Sequence, residues 1–478
     1  MKAYIMEGYD IKKLVEFLLN SKWSIYLIIF ITTLIVFPNI GRESLELDEI
    51  FSATVTLKTS GIKEMFTNYL SLEGSPPLYH LLLFYWGKNF GGSEVVLRFM
   101  SYGVVILGIT CSYILLCKYF GRRIALIFSA LSAFTPGVMF YAQQVRMYAL
   151  LYSLSCVLSI AFSIYILNIK RGLHFNKKFY FLCFSVVILT CYTHHFGSIL
   201  VFSLLTFLIV YLLTVKRRKE AAHILLGSII IGFFAILWPI YQFLYVDMGN
   251  HVKEFSWERN NMWTIMLNFS TYLALNKFGF LFLLSLLFPF VVKYQVLFAS
   301  ISKYFILLVP VILIIAVAYL LGLKLFVLSE RYFIVIIPLI LLFLTFVLYE
   351  QYYDKRNYII NYLLGLLIIT SYKSYSYKKQ NWKAASKFIS DHFSPSTCIV
   401  PLQSAKDGGF SKLMYASYYL GDEYDYVSDG PVLEKNCGLV YFDGHTNLES
   451  IKLTLQAYGI NKPYEIIDFN KVYVVIKK

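Results

Sequence analysis

The chain has 478 residues, 58% of them hydrophobic and 15% charged, against roughly 45–50% and about 25% in an ordinary soluble domain. Its 43 Lys and Arg outnumber its 28 Asp and Glu, but the basic residues stand in short clusters between apolar runs, as in loops on the cytosolic side of a membrane. A soluble enzyme, a secreted disulfide scaffold, a disordered tail and a nucleic-acid binder are thereby excluded, and the chain reads as a polytopic α-helical membrane protein.

A helix needs about 20 apolar residues to cross the hydrocarbon, and no run shows the period-two alternation of a barrel strand. About eleven spans are predicted: Trp23–Ile40, Glu94–Tyr119, Ile124–Tyr141, Met147–Ile169, Phe179–Tyr192, Gly197–Val215, Ala222–Val246, Phe278–Val292, Tyr304–Leu323, Tyr332–Leu348 and Tyr358–Tyr372. The first follows Lys2, Lys12, Lys13 and Lys22 with no small-residue cleavage site after it, so it reads as an uncleaved anchor. Pro76–Phe90 is apolar but short and holds His80 and Lys88. Treating it as a span would put every later basic cluster outside, so it is expected to lie on the exported surface, within a long first loop from Gly41 to Ser93.

With that choice, alternate loops carry Lys118/Arg122/Arg123, Lys170/Arg171/Lys177/Lys178, Lys216–Lys219, Lys293 with Lys303, and Lys355/Arg356. The positive-inside bias makes these cytosolic. The opposite, exported set carries Glu43, Glu46, Asp48, Glu49, Glu64, Glu73 and Glu94, together with Arg98, Arg146, His194, His195, Glu330 and Arg331. The plasma membrane of a bacterium is the expected location. Residues 1–377 form the membrane module. From Lys378 the composition turns soluble, and residues 378–478 read as a small exported α/β domain: helices at Trp382–His392, Lys412–Leu420 and Ser450–Tyr458, strands at Thr397–Leu402 and Gly438–Phe442, and a hairpin over Tyr464–Ile476. Five of the seven cysteines lie in spans without metal-ligand spacing. Cys398 and Cys437 fall in the exported tail, where pairing is left open.

Leu45–Phe51 (LELDEIF) opens the first exported loop. It reads either as an inert acidic cap or as a catalytic carboxylate at the lip of a lipid-facing pocket. Successive helical residues point about 100° apart, so Asp48 and Glu49 do not address one atom alike. A single base with a structural or hydrogen-bonding neighbour is the economical arrangement. Such a base takes the proton of an attacking hydroxyl while a phosphate departs, and the growing phosphate charge calls for fixed cations, arginine above all. Arg98, Arg146, His194, His195 and Arg331 recur on the same face. Taken singly, Arg98 has a partner at i−4 in Glu94, Arg331 has Glu330 or a snorkelling role, and the histidines suit an interface. The histidine pair lacks a third ligand at metal spacing. Asp48-Glu49 serves either as base or as a metal anchor, which leaves a divalent metal open.

Seven segments in order resemble the lipid-linked-sugar glycosyltransferases of the GT-C superfamily, in the family 39-like branch of bacterial protein O-mannosyltransferases and aminoarabinose transferases. They are Leu47-Asp48-Glu49; Ser75–Tyr79 (SPPLY); Gly92–Arg98 (GSEVVLR); Gly121-Arg122-Arg123; Thr135-Pro136 with Tyr141–Leu150 (YAQQVRMYAL); Thr193–Gly197 (THHFG); and Glu330-Arg331-Tyr332. The resemblance extends to about Pro338. It implies a polyprenyl-phosphate sugar donor, an exported active site and inversion at the sugar carbon, with Asp48 as catalytic base and Glu49 beside it. Arg98, Arg146, Tyr148, His194, His195 and Arg331 become candidates for binding donor phosphate or sugar. Aminoarabinose transferases carry Glu-Lys before Pro-Pro where Gly74-Ser75 stands here, and Lys88 or His80 is the candidate replacement for that phosphate contact. The eukaryotic lumenal insert has no counterpart, because Asp247–Lys277 is too short. A lipid or polysaccharide acceptor is therefore favoured over protein, and nucleic acid is not expected. A flippase for the lipid-linked intermediate is the competing reading, against which stand the lack of two related halves and the placement of charge at one face. A silent scaffold is the least economical.

Overall fold

The computed structural model describes residues 21–70, 75–169, 177–245, 264–265, 294–325, 329–350, 362–372, 378–395, 397–401, 416–426, 440–444, 448–457 and 464–477. In chain order the helices used below are α1 (Ser24–Val36), α2 (Leu47–Lys58), α3 (Leu78–Phe90), α4 (Glu94–Phe120), α5 (Arg122–Ala133), α6 (Pro136–Ala142), α7 (Tyr148–Asn168), α8 (Lys177–Cys191), α9 (His195–Thr214), α10 (Arg218–Tyr245), α11 (Tyr294–Tyr304), α12 (Val309–Leu325), α13 (Ile337–Glu350), α14 (Tyr362–Tyr372), α15 (Trp382–His392) and α16 (Leu448–Ala457). Among the described residues, five helical segments are long and apolar enough to cross a membrane, two more pairs qualify when each bent pair is taken as one span, and three shorter apolar helices accompany them. Ten of the eleven expected spans are thus apolar helices, and the chain is an integral membrane protein. Phe278–Val292 lies outside the described residues, as do Lys2, Lys12, Lys13, Glu73, Gly74, Lys170, Arg171, Asp247–Lys277 apart from residues 264–265, Lys293, Lys355, Arg356 and Cys437.

The span expected over Ile124–Tyr141 is broken: α5 and α6 meet at 65°. Pro136 is the cause. It has no N–H to donate and forces Thr135 out of the helical region, to ψ 119°. The bend turns the chain so that Gln144, Val145 and Arg146 reach α2. At the centre of the bundle α4 crosses α7 closely because Gly108 has no side chain. A Cβ there would sit 2.6 Å from Ser153 Cβ. Ser153 Oγ donates across the crossing to the Val104 carbonyl at 3.0 Å, the small-residue contact by which apolar helices associate in lipid. α3 has 13 residues, about 20 Å at 1.5 Å per residue, too short for the roughly 30 Å hydrocarbon core. It packs beside α2 and α4.

In the tail, α15 spans the residues expected of it and α16 stands where a helix was expected. Of Lys412–Leu420, residues 416–420 are helical and 412–415 lie outside the described set. Strands β1 (Cys398–Pro401), β2 (Asp425–Tyr426), β3 (Val440–Gly444), β4 (Tyr464–Asp468) and β5 (Val472–Lys477) form one sheet in the order β2-β1-β3-β5-β4. β1 runs parallel to β2 and β3, while β5 is antiparallel to β3 and β4. The β4–β5 turn is closed by Asn470 and Lys471, both in the left-handed region (φ 53° and 70°), as a tight right-twisted hairpin requires.

Candidate active site

Four chain segments start helices at one place. Asp48 is in the first turn of α2, Tyr148 begins α7, His194 caps α9, and Arg331 lies in a 3-10 turn (Glu330–Ile336) that leads into α13. Helix N-termini carry partial positive charge, so their convergence favours an anion before any side chain is counted.

Asp48 is the accessible carboxylate of the group, its side chain 43% exposed. Arg331 donates to Asp48 Oδ2 at 2.7 Å. Arg146 Nη1 donates to the Asp48 carbonyl at 3.3 Å and to Ser52 Oγ at 3.4 Å. Burial alone would raise the Asp48 carboxyl, but Arg146 and Arg331 outweigh it and hold the group below its ordinary value. The Arg331 guanidinium also lies 6.0 Å from the Tyr148 ring centroid and 5.7 Å from that of Tyr332. Tyr332 in turn packs 5.0 Å from His194 and 6.5 Å from Tyr148. His194 Nδ1 accepts from the Phe196 N–H at 3.1 Å. Burial, then His195, Arg146 and Arg331, push its pKa well down, so the ring is neutral and its proton sits on Nε2. The turn that presents it needs Gly197, where a Cβ would lie 2.3 Å from the Thr190 carbonyl oxygen. His195 adjoins it, with ring centroids 6.4 Å apart.

Glu49 occupies a different environment. It is fully buried and accepts from Arg98 twice at 3.1 Å, from Lys379 Nζ at 2.5 Å, from the Val145 N–H at 2.9 Å and from the Glu46 N–H at 2.9 Å. Its carboxyl lies far below the ordinary range: the two cations and their hydrogen bonds overcome a large burial effect. Arg98 is 2% exposed, and all five of its N–H donors are engaged. Two go to Glu49, and the others go to the carbonyls of Ile40, Glu43 and Ser44. Arg98 therefore holds the first loop and has no donor left for a phosphate. It does not pair with Glu94, which accepts instead from Lys383 at 2.8 Å and from Tyr419 at 2.5 Å.

The remaining candidates, His80 and Lys88, both stand on α3. His80 is buried, edge-on to Phe51 and Tyr79 at 6.2 and 5.8 Å. Lys88 is exposed eight residues further along α3, its ammonium 5.5 Å from the Phe84 ring. Among the described residues no three His, Cys, Asp or Glu side chains group as metal ligands, and Glu49's oxygens already face Arg98, Lys379 and two backbone amides. The residue that sequence reasoning missed is Lys379. It lies 330 positions from Glu49 with no local pattern to betray it, and only a pairing between distant parts of the chain would have found it.

The assembly of helices has the fold of a solved membrane protein, ArnT. No family model matches the sequence, and no curated protein matches it. Among solved structures, ArnT from Cupriavidus metallidurans in the apo state is similar over 94% of this chain and 97% of that one, with TM-score 0.62 and 13% identity. The same protein bound to undecaprenyl phosphate gives TM-score 0.61 and 15% identity over 95% and 98% of the two chains. The oligosaccharyltransferase of Archaeoglobus fulgidus aligns less well, at TM-score 0.49 and 13% identity, over 85% of this chain and 62% of that one.

Proposed function

We propose that the protein is an inverting glycosyltransferase that moves a sugar from a polyprenyl-phosphate donor to an acceptor on the exported side of the membrane. The observation that carries this reading is the pairing of an accessible, ionised Asp48 with Arg331, beside Arg146 and four converging helix N-termini. A carboxylate held ionised accepts a proton readily, and the cations within reach of it suit a departing phosphate. The GT-C fold, and an undecaprenyl phosphate complex of a protein that shares it, support the same donor class.

In this mechanism the acceptor hydroxyl gives its proton to Asp48 as its oxygen attacks the anomeric carbon. The bond from that carbon to the phosphate oxygen breaks, and polyprenyl phosphate leaves with the electron pair. Attack opposite the leaving group inverts the centre. Arg331 exchanges Asp48 for the phosphate as charge develops there, Arg146 adds a second guanidinium, and neutral His194 offers its Nε2–H to the donor's polar groups. Tyr148 and Tyr332 flank Arg331 and fix its plane. Glu49 and Arg98 hold the loop and do not touch substrate. A lipid or polysaccharide acceptor is the favoured class.

The test is turnover by the purified full-length protein in lipid nanodiscs, offered a panel of polyprenyl-phosphate sugars and glycolipid acceptors. Asp48→Asn should reduce turnover on the order of a hundredfold or more while the protein stays folded. Full turnover in that variant removes Asp48 as the base. Movement of donor across proteoliposomes without any acceptor would instead identify a flippase.

A further inference from the structure

The tail does not hang free of the membrane module. The Lys379 backbone N–H donates to Glu43 Oε2 at 2.8 Å, and its ammonium reaches Glu49 at 2.5 Å and Glu46 at 3.5 Å. Four residues on, the Lys383 N–H donates to Ser44 Oγ at 3.1 Å. Tyr419 Oη accepts from the Leu45 N–H at 2.7 Å while it donates to Glu94, and Lys58 at the far end of α2 meets Asp422 at 2.6 Å. The β4–β5 turn completes the grip: Asn470 Nδ2 donates to the Lys379 carbonyl at 2.7 Å. The tail thus holds α2 at both ends and the loop before it.

From this geometry we infer that Lys379 is a positioning residue for Asp48, a strap by which the tail domain sets the orientation of the catalytic carboxylate. The inference rests on the assignment of Asp48 as base. Lys379 is 94% enclosed, with its side chain only 6% exposed, and its charge is directed at the residue next to Asp48. Glu49 is gripped by Arg98 from α4, by the Val145 amide after α6 and by Lys379 from the tail. With Glu49 fixed from three directions, the first turn of α2 cannot rotate about its axis. Asp48, about 100° round that turn, is thereby kept against Arg331. Without Lys379 the buried carboxylate loses one of its two cations, and the turn is held from two sides only.

Two measurements on the full-length protein in nanodiscs test this, and only one needs activity. Amide hydrogen exchange of peptides covering residues 43–56 should rise at least tenfold in Lys379→Met. It should return toward wild type in Lys379→Arg and stay at the wild-type rate in Lys452→Met, a change at an exposed tail lysine. In turnover with a polyprenyl-phosphate sugar, Lys379→Met should lower kcat tenfold or more with KM changed less than threefold, and Lys379→Arg should recover most of kcat. Wild-type exchange in Lys379→Met overturns the strap whatever the enzyme does. Raised exchange with an unchanged kcat overturns the positioning role, and raised exchange with Asp48→Asn fully active overturns the base and leaves the strap. If Lys379→Met does not fold, Lys379→Gln is read by the same criteria.

Discussion

Two neighbouring carboxylates stand in very different surroundings. The Asp48 carboxylate meets Arg331 and solvent, with Arg146 on its main-chain carbonyl, whereas that of Glu49 meets two cations, two amides and no solvent. Because the folded-state pKa of Asp48 is depressed, its ion pair adds stability above the unfolded carboxyl pKa of about 3.9. That contribution is lost as pH falls through the lower folded value. Turnover that needs ionised Asp48 should accordingly persist into mildly acidic buffer. Arg331→Met should move the acidic limb of the kcat profile upward and reduce kcat tenfold or more; an unshifted limb would mean that Arg331 does not set the state of Asp48. Arg98→Met leaves Glu49 with one cation in a dry site, and breaking a buried pair in this way costs about 3–5 kcal/mol. A marked drop in the thermal midpoint is expected, measured by tryptophan fluorescence in nanodiscs. Most of these groups were legible in the sequence, because charged residues at the ends of apolar runs stand out against the run. The binding role given to Arg98 needed correction, since a sequence displays an arginine but not the carbonyls of Ile40, Glu43 and Ser44 that engage it.

Helices in this protein are placed by a few residues whose smallness or rigidity decides the packing. Gly108→Val should force α4 away from α7, since even a Cβ would lie 2.9 Å from the Ser153 Cα and backbone cannot give way as a side-chain end can. Loss of several degrees of thermal midpoint in the folded protein is the expected result, and an unchanged midpoint would show that the crossing relaxes. Apolar run length made the spans readable, for a lipid-crossing helix must satisfy its own backbone and needs a fixed number of residues to do so. The break at Pro136 was less readable. A proline ends or kinks a helix, and the sequence does not say which, because neighbouring helices decide whether the chain continues in line. β2 escaped notice because two residues cannot show an alternating pattern.

Across the whole molecule, the contacts of the tail with the first loop require both to stand on one side of the membrane. In a cysteine-free background, an impermeant maleimide applied to intact cells should label cysteines placed at the exposed positions Lys63 and Lys452. It should reach one at Lys219 only after the membrane is broken. Labelling of Lys63 and Lys452 from opposite sides would contradict the Lys58–Asp422 and Lys379–Glu49 pairs. The change of composition near Lys378 marks the tail in the sequence, but its contacts with the first loop leave no such mark. Ion pairs between residues more than 300 positions apart leave no periodic trace, and a basic residue in a polar segment looks like any other solvated charge.

Asn470 in the β4–β5 turn secures the Lys379 carbonyl while the Lys379 ammonium meets Glu49 in the first turn of α2. A single lysine thus couples a hairpin turn to a helix start 330 positions away, so slack introduced at either place is transmitted to the other.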